Sequence, residues 1–71
     1  MTETMWLKMF GDNLTSLMRE VGYSQKELAE DTGLSESTIS RYMNGKATPS
    51  GYNLERLADA LKCSISELTK R

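Results

Sequence analysis

The chain has 71 residues, with nine Lys and Arg against ten Asp and Glu, a formal net charge of −1, one cysteine and no histidine. Such a length makes one domain, residues 1–71, without room for a sizeable pocket, and its core supplies only about 3–5 kcal/mol unless helix ends are well capped or the chain dimerises. The missing histidine removes most metal sites and nearly all imidazole acid–base chemistry, a lone cysteine needs no oxidising compartment, and the slightly acidic balance counts against nucleic acid, where phosphate neutralisation supplies much of the affinity.

No apolar run approaches the ~18 residues of a membrane span. The first ten residues, MTETMWLKMF, lack a cleavage site of small residues. A cytoplasmic protein with no membrane partner, no cofactor and no small-molecule substrate is the expectation.

Strand signals are absent, and helical periodicity recurs throughout. The first helix is expected from Met5 to Val21, capped by Thr4. Trp6, Phe10, Leu14, Leu17, Met18 and Val21 form its apolar stripe. Gly11 inside it costs about 1 kcal/mol relative to Ala, which argues for a start near Phe10. Gly22 ends it. Met5 and Met9, four residues apart and off the stripe, read either as cover for the core edge or, with Trp6, as a partner contact.

Ser24 and Glu27 form a capping box that opens the second helix, and Gly33 closes it in a left-handed conformation. Leu28, Ala29 and Thr32 share its inner face, while Glu27, Glu30 and Asp31 lie away from it. Ser35 caps the third helix, which stops at Asn44-Gly45. Lys46 to Gly51 is a loop with the only proline, Pro49. Ser50 caps a fourth helix with Leu54, Leu57, Ala58 and Leu61 at i, i+3, i+4, i+7. Ser64 and Glu67 form a second capping box and open a short fifth helix containing Leu68. Cys63 reads as a small hydrophobe between the last two helices, and Lys70-Arg71 are expected to fray.

The third helix has two opposed faces. Ile39 and Tyr42 lie on one, with Ser35 and Thr38 at its margins. Glu36, Ser37, Ser40 and Arg41, at i, i+1, i+4 and i+5, form one exposed strip on the other. Hydrogen-bonding side chains on a helix anchored from behind are what reading base edges in a major groove requires. The preceding turn supplies what a helix-turn-helix needs: small Ala29 where two helices cross, Gly33 in the turn, and apolar Ile39 to lock the crossing angle.

With those residues in register, the run SQKELAEDTGLSESTISRYMNGKATPS, continued by LERLADALKCSISEL and extending back to FGDNLTSLMREVG, resembles the Cro and phage-repressor (XRE) family of helix-turn-helix domains, phage or bacterial in origin. The resemblance covers about Phe10 to Leu68. It implies an all-α, compact, lambda-repressor-like five-helix bundle. It also implies a sequence-specific regulator of transcription, more often a repressor, that binds a double-stranded DNA operator as a homodimer. The family's base-reading positions fall on Glu36, Ser37, Ser40 and Arg41, the same strip that helical geometry selects. Its phosphate-binding positions fall on Gln25, Asn44 and Lys46. The chain departs from the family at Thr32, where an apolar residue is commoner.

The bland alternatives are a solvated helix face for the strip, a loop lysine for Lys46, a helix stop for Asn44 and a first-turn residue for Gln25. Tyr42 reads as core, with its hydroxyl reaching the surface. The competing function is a protein-interaction module, of the antitoxin type or a regulatory subunit, that keeps the shape without using it on DNA. An enzyme is not expected: neither an activated nucleophile nor a Gly-rich phosphate loop is present.

Overall fold

The computed structural model describes residues 2–71. They form α1 (Glu3–Val21), α2 (Gln25–Thr32), α3 (Glu36–Met43), α4 (Gly51–Leu61) and α5 (Ile65–Thr69), with no strand among the described residues. Every helix starts at a hydroxyl. Thr2, Ser24, Ser35, Ser50 and Ser64 each accept a hydrogen bond from the backbone N–H three residues on. Such caps satisfy N–H groups that helix geometry leaves free, at about 1 kcal/mol apiece. In α2 the box is complete, with the Ser24 N–H donating to Glu27 Oε1 at 3.1 Å. In α5 only the serine half forms.

Each helix sends at least one side chain into full burial: Phe10 and Leu14 from α1, Leu28 from α2, Ile39 from α3, Leu57 from α4 and Leu68 from α5. At roughly 1.5–3 kcal/mol for each such side chain, this shared core holds together helices that, α1 apart, are too short to persist alone. No helix of the described residues is long and apolar enough to cross a membrane.

α1 ends at Val21 and Gly22 as expected but departs from expectation at its start. It starts at Glu3, and its cap is Thr2 rather than Thr4. It also runs unbroken through Gly11. That glycine is buried because α1 crosses the end of α3 there: a Cβ on it would sit 2.7 Å from the Met43 carbonyl oxygen and 2.8 Å from that of Tyr42. The residue that looked like a helix breaker is thus the contact point of a helix crossing. At the other end the apolar stripe outlasts its packing, and Val21 is half exposed.

Two polar side chains tie distant segments together. Asn13 donates from Nδ2 to the carbonyls of Leu68 (3.0 Å) and Lys70 (2.7 Å). It thereby holds the α5 end, where fraying through Lys70 was expected. Thr32 is 2% exposed, yet its hydroxyl donates to the Leu28 carbonyl at 2.7 Å and accepts from the Leu34 N–H at 3.3 Å. A buried hydroxyl so satisfied has little desolvation cost, so the departure at this position does not disturb the packing.

Gly11→Ala should destabilise the chain by about 1–3 kcal/mol in urea unfolding, because the added methyl meets backbone oxygens that cannot rotate away. Gly51→Ala should instead stabilise it, by about 0.4–1 kcal/mol, since nothing lies within 4 Å of a Cβ built there.

Candidate nucleic-acid interface

α2 and α3 meet at Gly33, which closes α2 with φ of 76°. That left-handed conformation suits a residue without Cβ, and it delivers Ser35 directly to cap α3. The Ser35 hydroxyl accepts from the Thr38 N–H at 3.1 Å and donates to Thr38 Oγ1 at 2.9 Å. This fixes the first turn of α3, where Glu36 and Ser37 stand exposed.

Burial on α3 follows the two faces expected. Ile39 is 0% and Tyr42 is 4% exposed. Glu36, Ser37 and Arg41 are exposed, and Ser40 is half-buried. At about 100° per residue the four polar side chains span an arc of about 140°, facing away from the buried pair. The structure therefore brings the whole strip together on one open surface.

The outlying residues differ in what they have to offer. Gln25 is exposed in the first turn of α2. Its N–H, like that of Lys26, has no intrahelical acceptor and lies at the positive end of the helix, which suits a phosphate. Lys46 is exposed beyond α3, with its own N–H donating to the Arg41 carbonyl at 2.8 Å. Asn44 is exposed too, but its Nδ2 donates to the Ser40 carbonyl at 2.8 Å and reaches Ser40 Oγ at 3.4 Å. The amide that would donate to a phosphate is engaged in closing the helix, and it holds Ser40 as well.

Three further side chains bear on α3 from α1 and α4, and of these only Asn53 carries no local signal in the sequence. The Phe10 ring meets the Tyr42 ring edge-on, with centroids 5.9 Å apart, and Trp6 stacks on Phe10 at 5.5 Å. On the opposite side Asn53 Nδ2 donates to the Tyr42 hydroxyl at 2.9 Å. The hydroxyl thus reaches α4 rather than open surface. Only the contact map of the folded chain pairs residues 11 apart across a loop.

Away from α3, Cys63 is half-buried and packs against the core. Burial pushes its thiol above the ordinary range, and Glu67 adds to the shift, so it is not poised as a nucleophile. The Tyr23 hydroxyl donates to the Asp31 carboxylate, pinning the α1–α2 link to the end of α2. That bond, chiefly, raises the Tyr23 phenol above its ordinary value.

Comparison with known proteins matches residues 14–68 to a family model described as helix-turn-helix. The chain is 32% identical over 60 residues to the cryptic phage CTXphi transcriptional repressor RstR of Vibrio cholerae, covering 84% of this chain and 54% of that protein. It therefore spans about half the length of that relative. Among solved structures it is similar to the restriction-modification controller protein C.AhdI from Aeromonas hydrophila. The identity is 35% and the TM-score 0.84, covering 87% of this chain and 94% of that one. It is also similar to the P22 c2 repressor, solved in complex with synthetic operator 9T, at 30% identity and a TM-score of 0.81, covering 86% and 92%.

Ser35→Ala should cost about 1 kcal/mol of stability by thermal or urea unfolding. Amide exchange should rise in the first turn of α3, where the N–H of Thr38 loses its acceptor.

Proposed function

The chain belongs to the helix-turn-helix family, and on that premise we propose that it is a regulator of transcription that binds double-stranded operator DNA. In this reading residues 1–71 act as one DNA-binding domain and α3 lies in the major groove. The observation that carries it is the open strip of Glu36, Ser37, Ser40 and Arg41 on a helix fastened from behind by Ile39 and Tyr42. The 30% identity to a repressor solved on its operator supports it.

Each residue then has a role set by its chemistry. Arg41 is the side chain suited to gripping a guanine through O6 and N7, and Glu36 to accepting from a cytosine N4. Ser37 and Ser40 are permissive partners for either base type. The Gln25 N–H and the Lys46 ammonium take phosphates on either side. Asn44 assists by closing α3, with its amide oxygen left toward solvent. Repression rather than activation fits the repressors among the relatives. Two copies would bind paired half-sites about one helical turn apart, in the cytoplasm where operator DNA is found.

The second reading is a protein-interaction module with weak or no DNA binding. The net charge of −1 and the 59% exposure of Met5 favour it. Ionic strength separates the two, because counterion release makes DNA affinity fall steeply with salt.

Selection from a randomised duplex pool at low salt should enrich an inverted repeat. Arg41→Ala should weaken binding to that repeat by about 1–3 kcal/mol and relax preference at one base pair per half-site. Equal losses on the repeat and on random DNA would make Arg41 a phosphate contact. A folded protein that enriches nothing would move the function to the interaction module.

A further inference from the structure

We propose that Tyr42 and Asn53 form a positioning pair that fixes the rotation of α3, and hence base discrimination, without touching DNA; the inference rests on the DNA-binding reading above. Tyr42 is the anchor of the last turn of α3. Its ring is 4% exposed and is held edge-on by Phe10. The backbone at and just after it is pressed against α1: the carbonyls of Tyr42 and Met43 stand at the Gly11 crossing. These contacts set how deep the helix sits. An aromatic ring in an apolar socket still permits small rotations of the helix about its own axis, because hydrophobic burial is non-directional.

The Tyr42 hydroxyl supplies the missing direction. It accepts from Asn53 Nδ2 at 2.9 Å, and Asn53 is itself fixed. Asn53 stands in the first turn of α4, where its N–H donates to the Ser50 capping hydroxyl at 3.1 Å. The bond therefore runs from a rigid helix start to the side chain next to Arg41. It also spans the base of the loop that carries Lys46. Side-chain tips lie about 5–6 Å from a helix axis, so a rotation of about 10° moves them by about 1 Å. That is more than the 2.7–3.2 Å window of a good hydrogen bond allows. A bidentate contact to a base is sensitive to such a shift, whereas a diffuse attraction to phosphates is not.

Three variants separate positioning from mere stability. Tyr42→Phe keeps the ring and deletes the hydroxyl, and Asn53→Ala deletes the donor. Asn53→Asp reverses the bond, with the Tyr42 hydroxyl donating to a carboxylate. An acidic group in the first turn of α4 also suits the helix dipole, so this variant folds readily. Binding is measured for each folded variant on the selected operator, on a copy with one changed base pair in each half-site, and on random duplex, over a range of salt.

Tyr42→Phe and Asn53→Ala should each lower the ratio of operator to mismatch affinity by roughly three- to ten-fold, the worth of one hydrogen bond. Affinity for random duplex and its salt slope should stay unchanged. The double variant should lose no more than either single one. Asn53→Asp should restore the ratio even while its added charge weakens binding to all three duplexes alike. Ratios that match the parent in Tyr42→Phe, or losses that simply add in the double variant, overturn the pairing. A parent protein that shows no operator preference at all overturns the DNA reading itself, and the proposal with it.

Discussion

An eight-residue helix that must leave half its circumference open has only its other half to keep it folded. α3 is that helix. Nucleating a helix is unfavourable, and fewer than about 12–15 residues seldom persist alone in water. Its order therefore depends on burying Ile39 and Tyr42. α1 and α2 both pack on it. Gly11 removes the side chain that would hold α1 away, and Ala29 keeps α2 small on its buried face. The capping hydroxyl of Ser35 and the Asn44 amide close the two ends. What remains outside is a strip of polar side chains whose backbone is immobilised from behind.

The charge distribution determines what kind of DNA binding such a strip can support. With a net charge of −1 the whole molecule offers no long-range attraction to a polyanion. On α3 and just past it the cations are Arg41 and Lys46, Lys26 lines a groove with Glu36, and the Arg56 guanidinium lies against the Gly33 turn. Glu36 sits in the first turn, where it suits the helix dipole but opposes a phosphate. On the DNA-binding reading, affinity for arbitrary duplex would therefore be modest. On that reading, binding of useful strength would come from base-edge contacts and from a second copy on a paired half-site, both of which need an accurately held helix. A chain with a weak electrostatic term relies on geometry more than a basic one does.

The features legible in the sequence were those whose chemistry is local. Ser24, Ser35, Ser50 and Ser64 announced helix starts, because a cap needs only the residue and the N–H three positions on. Gly33 announced the turn for the same reason. The buried face of α3 followed from periodicity alone, and so did the strip opposite it. Features that depend on chain segments meeting in space were not legible. Gly11 has the composition of a helix breaker, and only the carbonyls of Tyr42 and Met43 beside it explain its presence. Thr32 looked misplaced until its hydroxyl was seen bonded to the Leu28 carbonyl. The end of α4 carries no glycine, and Lys62 adopts the left-handed conformation there, with φ of 54°. Such a stop costs a residue with Cβ about 1–2 kcal/mol, and the packing of Leu61 and Leu68 into the common core supplies the offset.

The first half of α1 changes meaning in the same way. Residues before Leu14 lie outside the segment matched by the family model, and as sequence they read as the start of the first helix, with Trp6 and Phe10 on its apolar stripe and Met5 and Met9 off it. In the fold, Trp6 stacks on Phe10, Phe10 faces Tyr42, and Gly11 admits the end of α3. Gly45, just past α3, approaches the Leu7 carbonyl so closely that a Cβ there would stand 3.3 Å from it. The surface on which the last turn of α3 rests is thus built from residues that precede the matched segment 14–68. The motif supplies the strip, and this segment supplies the seat that orients its C-terminal half, where Ser40 and Arg41 stand. Two chains with the same strip and different first helices would then present it at different angles.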